Sequence, residues 1–482
     1  MILNTEALTA KPDKLGRYAP ALFLLAALLP EYVAPVFTAA VFFIVLRRRI
    51  AERKKPSFGA IGMAILIYMA WMVVCSVYSS SFISSFASVG LWCLMFTGYY
   101  TFTETVKTQE QIERIFLCGG LSAGAAGAIG VAQMVVYHLC LRTGSNIHKL
   151  FNPFWRFLDL AVEKLVVFLP DFISSNMASK TFHTFSTRAC STFSNPLFFA
   201  TFCVSMLPFA AYVFLCSKSV KRQIIGFGCC LAAIGGVALS YSRGPYLFAV
   251  IVFALLFLYG GKKCLKLIAL GGVGFCAIVI FADGIFKRVL TLISGRDLSV
   301  NTRKSVWDAA FKMLHERPIF GYGTGFDNVR QTMHNVYNVK QPHAHNIFLE
   351  AWLENGVLGA LLLAAIFIVF FINAFRLYRR KGRTRDYAVT LFASVTGFLL
   401  CGMTDCVFYG LKPLQYMMMI FGLSQAVFSL YLSKSEAENE KEGGIQAHSP
   451  AAVLRAGGVR DNGGADCRRD KIRLSHEVRE LY

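Results

Sequence analysis

Charged residues are scarce in this chain, and acidic residues are fewer than basic ones. Asp, Glu, Lys and Arg make up only 16% of the 482 residues, whereas 55% are hydrophobic and 43 are Phe. This composition excludes a soluble globular domain, which could not bury so much apolar surface. The long apolar runs also lack the alternation of polar and apolar residues that is typical of membrane β-barrel strands. The sequence therefore predicts an all-α, polytopic integral membrane protein.

Apolar runs of about 20 residues recur along the chain, which is the length that a helix needs to cross a bilayer core of roughly 30 Å. They predict about twelve transmembrane helices. The sequence shows no cleavable signal peptide and no internal repeat, and the polar segment 433–482 predicts a disordered tail. The predicted spans are 18–29, 33–46, 59–78, 82–102, 115–140, 196–216, 223–240, 245–260, 264–282, 347–375, 387–407 and 413–432.

Basic clusters lie on only one side of the membrane if the chain has these twelve spans. They fall at 11–17, 47–55, 218–222, 262–263 and 376–385. Because short cytoplasmic loops carry the excess of Lys and Arg, this side is predicted to be cytoplasmic. The net charge of +21 then follows mostly from topology, and no nucleic-acid partner is expected.

The same orientation leaves two long external loops, 141–195 and 283–346. The second carries nine Lys and Arg against five Asp and Glu. An external site for an anionic substrate would explain this surplus, since a basic cluster attracts anions. A basic surface that is merely solvated is the alternative.

The chain has 14 cysteines but no Cys-x-x-Cys pair, and most of the cysteines lie inside the predicted spans. A buried single cysteine behaves as a small apolar residue. The sequence therefore does not demand a disulfide.

Two histidines, His343 and His345, directly precede a long apolar helix. His345 is predicted at the positive end of the helix dipole, which disfavours a protonated ring. A neutral ring can act as a general base. Gly356 and Ala360 predict a close contact with a second helix, which would fix this segment tightly. An interfacial histidine without a catalytic role is the alternative reading.

His343 and His345 also allow a metal site, although a His-x-His pair alone is a weak signal. Asp283, Asp297 and Asp327 are candidate ligands only because they are predicted to be external. Neither a metal nor a cofactor is therefore expected.

Residues 302–315 predict an amphipathic helix that ends before Pro318. Arg303 lies in its first turn, where the helix dipole disfavours a cation unless an anion binds there. The following glycines do not succeed a strand, so they do not predict a nucleotide-binding loop. The apolar face of this helix consists of Val306, Ala309, Ala310, Met313 and Leu314.

The segment SYSRGPY, residues 240–246, predicts a very short external turn. It places Arg243 at the membrane edge, where a cation is costly unless its side chain reaches the interface or pairs with an anion. Arg243 is therefore a second candidate for binding an anionic group.

Together these motifs resemble the O-antigen ligase/polymerase family of membrane glycosyltransferases, whose fold is GT-C-like. The resemblance covers residues 185–430. The residues that carry it are His345-Asn346 with Gly356 and Gly359, Arg303 with Trp307, Pro318, Gly321 and Gly323, Ser242-Arg243-Gly244, and Ser191 to Pro196 with Arg188 upstream.

The resemblance implies that 186–432 is a catalytic membrane domain, which follows N-terminal helices and a first external loop in 1–185. It implies transfer of a glycan from an undecaprenyl-diphosphate-linked donor to a hydroxyl acceptor, on the external face of the cell membrane and without a metal. The acceptor would be a glycan, a lipid or a protein, since the family contains both ligases and polymerases. The residues implied to be catalytic are His345, Arg303 and Arg243, and those implied to bind substrate are Arg188, Asn346 and Arg296.

A membrane transporter, for bicarbonate or a lipid-linked glycan, is the alternative from a different functional class. Transporters concentrate ionisable groups near the membrane midplane. Few ionisable residues are predicted near the midplane, chiefly Glu31 and Asp405. This scarcity favours the enzyme.

Overall fold

The computed structural model describes residues 18–143, 188–260 and 298–447 apart from positions 30, 32, 54 and 342, and it also describes residues 265 and 272. The chain divides into two compact units, Met1–Leu432 and Ser433–Tyr482. A short 3-10 helix lies at Val407–Tyr409. The α-helices of the described residues are α1 (Tyr18–Leu28), α2 (Val33–Ala51), α3 (Gly59–Val77), α4 (Phe82–Thr105), α5 (Gln109–Thr143), α6 (Pro196–Cys216), α7 (Val220–Leu239), α8 (Arg243–Gly260), α9 (Leu298–Glu316), α10 (Phe326–Asn335), α11 (Ile347–Tyr378), α12 (Arg383–Gly402) and α13 (Leu411–Ala447).

Seven helices within the described residues are long and apolar enough to cross a membrane, in agreement with the predicted all-α, polytopic fold. Helix α1 and the segment Arg243–Leu258 of α8 are apolar but shorter. The predicted span 264–282 lies outside the described residues. The predicted number of twelve spans is therefore not confirmed. The seven spans are Gly59–Val77, Phe82–Thr105, Gln109–Cys140, Pro196–Cys216, Val220–Leu239, Ile347–Tyr378 and Leu411–Tyr431.

Helix α6 and the spanning part of α13 form the centre of the bundle. In each of them 83% of the most apolar 18-residue segment is buried, against 39% in α7 and α11. A helix that is apolar all round and buried belongs to the core, whereas α7 and α11 keep an apolar face for lipid. Helix α5 approaches α7 closely because Gly127 has no side chain. A Cβ atom added to Gly127 would lie 2.2 Å from the carbonyl oxygen of Ala232.

A basic cluster lies at one end of α4. The helices α9 and α10 of the predicted loop 283–346, which we call the loop helices, lie at the other end. At its C-terminal end, Glu104 forms an ion pair with Arg49, which belongs to the cluster that ends α2. At its N-terminal end, Ser84 donates a hydrogen bond of 2.8 Å to Asp327 of α10. The basic cluster and the loop helices therefore lie at opposite ends of this helix, as the predicted orientation requires.

Labelling of single cysteines tests which end faces the outside. In a cysteine-free background, Asn335→Cys, at an exposed position of α10, is expected to react with a membrane-impermeant maleimide in sealed right-side-out membranes. Lys221→Cys and Lys381→Cys, at exposed positions of the opposite end, are expected to react only after permeabilisation. The reverse pattern would contradict the predicted orientation and with it an external site.

Helix α11 is broken at Gly356, where φ is 68° and ψ is −178°. The freed carbonyl oxygens of Leu353 and Glu354 accept hydrogen bonds of 2.8 Å and 2.9 Å from the backbone N–H groups of Tyr322 and Gly323. The loop between α9 and α10 thus satisfies groups that would otherwise cost several kcal/mol each in a membrane. At Gly356 itself, loop backbone rather than the predicted second helix fills this place, whereas α3 contacts the neighbouring carbonyl group of Asn355.

Three further boundaries differ from the prediction. Helix α9 begins at Leu298, so Arg303 lies in its second turn, where the dipole effect is weaker. Helix α12 ends at Gly402, so Asp405 lies beyond the helix rather than within a span. Helix α13 continues to Ala447, because the polar residues after the membrane segment include many strong helix formers. The first part of the predicted disordered tail is therefore helical, and positions after 447 lie outside the described residues.

Candidate active site at the 403–406 turn

Two predicted catalytic residues meet at residues Met403 to Cys406, which we call the 403–406 turn. Arg303 of α9 donates a hydrogen bond of 3.3 Å from Nη2 to the carbonyl oxygen of Thr404. The next residue of the turn, Asp405, has Oδ1 3.2 Å from Nδ1 of His345. Adjacent residues of one turn therefore hold the arginine and the histidine, which are 42 positions apart in the printed sequence.

Asp405 holds both histidines. Nε2 of His343 lies 3.4 Å from the same Oδ1 atom, and the two imidazole rings pack edge to face with centroids 4.3 Å apart. Burial alone would raise the pKa of Asp405, but the hydrogen bond with His345 and the positive charge that His343 and His345 can carry hold this pKa below its usual range. Asp405 is therefore an anion at neutral pH. It favours the tautomer of His345 in which Nδ1 carries the proton and Nε2 is basic.

The stability that the Asp405 carboxylate contributes to the folded protein is lost only at acid pH. Because its pKa is lower in the folded protein, the contribution is fully present above the ordinary aspartate pKa of about 3.9. It is lost as the pH falls through the lower folded value. The carboxylate can therefore orient His345 throughout the neutral range.

Asn346 fixes the start of α11. Its Oδ1 atom accepts hydrogen bonds of 2.9 Å and 3.1 Å from the N–H groups of Phe348 and Leu349, as an N-cap does. Its Nδ2 atom donates a bond of 3.3 Å to the carbonyl oxygen of Met403. The asparagine thus attaches the histidine segment to the 403–406 turn, and its contact with substrate stays a prediction.

Arg188 binds the short turn that leads into α8. Its Nε atom donates a hydrogen bond of 2.8 Å to the carbonyl oxygen of Ser240, and Nη2 donates one of 2.7 Å to Oγ of Ser242. Arg243 directly follows this turn as the first residue of α8. Arg188 therefore contacts the residue that directly precedes Arg243.

The segment that contains Arg243 and Gly244 also approaches the 403–406 turn. A Cβ atom added to Gly244, the residue after Arg243, would lie 3.2 Å from Oγ1 of Thr404. Arg243 thus belongs to the same region as Arg303 and His345. Arg296 lies outside the described residues.

Three possible metal ligands lie together in this region. Nitrogen atoms of His343 and His345 and a carboxylate oxygen of Asp405 are all within 4.8 Å of one another. Two imidazoles and a carboxylate are a donor set that zinc accepts. The structure therefore supplies the third ligand that the sequence did not.

The acids that the sequence offered as ligands are not part of this cluster. Asp327 accepts a hydrogen bond of 2.8 Å from Ser84 and pairs with Arg330 at 2.9 Å. Asp283 and Asp297 lie outside the described residues.

Chelation distinguishes a metal site from a hydrogen-bonded histidine pair. We expect the glycan transfer that the resemblance implies to survive an excess of EDTA in the purified protein, because arginine side chains can supply the positive charge that such a reaction needs. Transfer activity and bound metal are measured on the same sample. Activity that is lost with EDTA and restored by Zn²⁺ would contradict this expectation and support a metal at the two histidines.

A buried acidic pair beside the histidines was not assigned from the sequence. Glu350 and Glu354 of α11 both contact the hydroxyl group of Tyr409, with Oε1 of Glu350 at 2.5 Å. Their spacing of four residues could have predicted a shared helix face. Asp405 could have been found as an acid near the predicted end of a span, whereas no local signal points to Tyr409.

Comparison with known proteins supports the resemblance found in the sequence. Residues 228–364 match the model of the O-antigen ligase family. This segment contains Arg243, Arg303 and His345, whereas Arg188 and Asp405 lie outside it. An uncharacterized protein of Haemophilus influenzae is 31% identical over 179 residues, which are 32% of this chain and 44% of that protein. The match thus spans less than half of the relative.

The family match and the apolar helices agree on the kind of protein. The matched segment includes both the broken helix α11 up to residue 364 and the loop helices that pack at its break. It also contains three of the motifs on which the resemblance was based: those around Arg243, around Arg303 and around His345. Residues 228–364 of this multi-pass membrane protein are thus similar to the O-antigen ligase family.

Proposed function

We propose that this protein is a membrane glycosyltransferase that transfers or polymerises an undecaprenyl-diphosphate-linked glycan onto a hydroxyl acceptor at the external face of the cell membrane. The observation that carries the proposal is that adjacent residues of the 403–406 turn hold Arg303 and His345. Guanidinium groups bind phosphates bidentately, and a neutral imidazole accepts protons. Groups suited to the donor and to the acceptor thus lie together.

An external location of the site would explain why the donor is a lipid diphosphate. Nucleotide sugars are made in the cytoplasm. An external transferase therefore needs a glycan that is carried across the membrane while still attached to a good leaving group. A glycan on a lipid diphosphate meets this need, because the diphosphate is a good leaving group. Arg303 and Arg243 are the residues that we propose for binding it, with Arg188 supporting the turn before Arg243.

The proposed reaction is a single displacement with inversion. The acceptor oxygen attacks the anomeric carbon while Nε2 of His345 takes the hydroxyl proton. The bond from that carbon to the diphosphate oxygen breaks, and its electron pair leaves with the lipid diphosphate. Arg303 and Arg243 stabilise this negative charge, and Asp405 stabilises the imidazolium that forms. The arginines supply the charge that a metal would otherwise provide, so the reaction requires no metal and no cofactor.

A transporter is not favoured. The family match supports an enzyme of the ligase or polymerase type. Asp405, one of the two ionisable residues that the sequence analysis named as near the midplane, lies beyond the end of α12 and contacts the histidines instead. Its position supports a role in chemistry at a helix end.

Replacement of arginine by lysine tests the donor site. We expect Arg303→Lys and Arg243→Lys each to lower glycan transfer by about 10²-fold and to weaken donor binding, since an ammonium group cannot reproduce the planar guanidinium fork. Transfer is measured in liposomes with a lipid-diphosphate glycan, and binding is measured separately with the same donor. Arg114→Lys, in an exposed helical ion pair with Glu110, is the matched control and should keep full activity. Normal donor binding in both site variants would contradict the assignment.

Analysis of the surface glycan in a deletion strain tests the proposed class of reaction. Complete chains that stay on the lipid carrier would identify a ligase, because a ligase removes finished chains from the carrier. Surface glycan reduced to single repeat units would identify a polymerase. An unchanged surface glycan and an unchanged pool of lipid-linked glycan would contradict the proposed function.

A further inference from the structure

The peptide unit between the two histidines is held on both sides. Ala344 is fully buried, and its N–H group donates a hydrogen bond of 2.6 Å to Oε2 of Glu350. Its carbonyl oxygen accepts a bond of 2.9 Å from Nε1 of Trp307, which lies on α9 one turn after Arg303. Side chains from two different helices therefore fix the short segment that carries His343 and His345.

This segment needs to be held because its backbone is strained. His345 has a φ of 53°, in the left-handed region, which costs an L-residue other than glycine roughly 1–2 kcal/mol. Such conformations persist only where the surrounding structure determines them. The two hydrogen bonds of Ala344 directly precede the strained residue, so they are well placed to determine its conformation.

Glu350 is in turn part of a buried group of three side chains. The hydroxyl of Tyr409 lies 2.5 Å from Oε1 of Glu350 and also contacts Oε1 of Glu354. Glu350 and Glu354 are only 4% and 7% exposed. A phenol has one proton to donate, and two buried carboxylates that meet at the same hydroxyl group repel each other unless one of them is protonated. One additional proton must therefore sit on one of the two carboxyl groups.

The hydrogen bonds decide which carboxyl group carries it. Glu350 accepts from the N–H group of Ala344 through Oε2 and lies against Tyr409 through Oε1. This arrangement suits a carboxylate, which only accepts. Glu354, which also accepts from the N–H group of Gly325, then carries the shared proton on Oε1 and donates it to the oxygen of Tyr409, whose own proton goes to Glu350. Glu350, Tyr409 and Glu354 each have hydrogen-bond partners in this way.

We propose that Glu350, Tyr409 and Glu354 form a clamp, sharing one proton, that sets the conformation of the histidine segment, so that Glu350 and Tyr409 are positioning residues for His345. The inference rests on the proposed function, in which His345 is the base. Tyr409 lies three residues after Cys406, on the chain that continues from the 403–406 turn. The clamp therefore ties His345 to the same part of the chain that carries its partner Asp405.

Three variants test the clamp in the transfer assay with full-length protein in liposomes. Glu350→Ala removes the acceptor for Ala344 and should lower kcat by about 10²-fold, because small displacements of a catalytic group have effects of this size. Tyr409→Phe removes one hydroxyl group and should lower kcat by about tenfold. Glu350→Gln should recover kcat to within about threefold of the wild type, because its amide oxygen accepts from Ala344 while its NH₂ group donates to Tyr409. The KM for donor should stay within about twofold in all three variants, since positioning of the base does not bind the lipid diphosphate.

Tyr416→Phe is the matched control, because it also removes one buried tyrosine hydroxyl, which donates to the carbonyl oxygen of Phe23 at 2.8 Å in the bundle. It should leave kcat unchanged. If Glu350→Ala does not fold, Tyr409→Phe and Glu350→Gln still test the clamp. Wild-type kcat in Tyr409→Phe, or a loss in Glu350→Gln as large as in Glu350→Ala, would overturn the clamp while an active wild type leaves the proposed function intact. An inactive wild type would instead reject the proposed function itself.

Discussion

His345→Ala is expected to abolish nearly all glycan transfer while donor binding stays close to that of the wild type. A positioned general base contributes roughly 10²–10⁴-fold to a reaction rate, so kcat should fall by a factor in that range. The donor diphosphate is assigned to Arg303 and Arg243, which the substitution does not touch. The variant therefore separates the turnover step from binding, in contrast to the arginine variants, where both should fall.

The measurement combines transfer in liposomes with binding of the same lipid-linked donor. Asp405→Asn should reproduce much of the loss, because an amide can no longer stabilise the imidazolium or hold Nδ1 in its donor form. His334→Ala is a suitable control, since this histidine is exposed on α10 of the same loop. Loss of donor binding in His345→Ala, together with normal binding in both arginine variants, would reverse the roles assigned to these residues.

Gly356→Ala is expected to prevent normal folding rather than to change the chemistry. The pair of angles at Gly356, φ 68° and ψ −178°, is open almost only to glycine. An added Cβ atom would lie 1.6 Å from the carbonyl oxygen of Ile319, so the loop would have to move away. That movement breaks the 2.9 Å bond from Val357 N–H to the carbonyl oxygen of Pro318. Strain and lost hydrogen bonds together should cost about 3 kcal/mol or more, a large share of the stability of a typical domain.

The yield of monodisperse protein and the melting temperature in detergent measure this effect. Gly228→Ala makes the same change in α7 at a place where an added Cβ atom would meet nothing within 4 Å. It should keep or slightly raise the melting temperature, because alanine is the better helix former. A Gly356→Ala protein with wild-type yield and melting temperature would show that the break in α11 does not depend on glycine.

The features that follow from local pattern were predictable from the sequence. Apolar runs of bilayer length gave most of the helices, because hydropathy alone decides membrane insertion. The amphipathic pattern of residues 302–315 was also confirmed. Of its predicted apolar face, Val306, Ala310 and Met313 are fully buried and pack with other loop residues. Periodicity reports burial directly, so these predictions need no knowledge of the tertiary structure.

The features that depend on partners distant in sequence were not predictable in the same way. The predicted span 347–375 was continued through Glu354, Asn355 and Gly356, although these residues interrupt its apolar run, because the apolar residues on both sides are together long enough to cross a membrane. Asp405 was placed in a span because its neighbours are apolar, whereas its position is set by the end of α12 and by His345. The motifs named the histidine and the arginines, but only the folded chain shows that one turn joins them.

The break in α11 has a consequence for how the protein is made. The translocation machinery can insert α11 as soon as its apolar run emerges, since insertion responds to hydropathy. Three of its carbonyl groups, however, find their donors elsewhere. Those of Leu353 and Glu354 bind the loop, and that of Asn355 binds Nε1 of Trp71 at 2.8 Å. Helix α11 can therefore be inserted in the membrane before the donors for these three carbonyl groups are in place. The loop between α9 and α10 must dock at the break before the bundle is complete. A loop that is cut, shortened or trapped by an early binding partner would therefore leave α11 inserted but with these carbonyl groups unsatisfied.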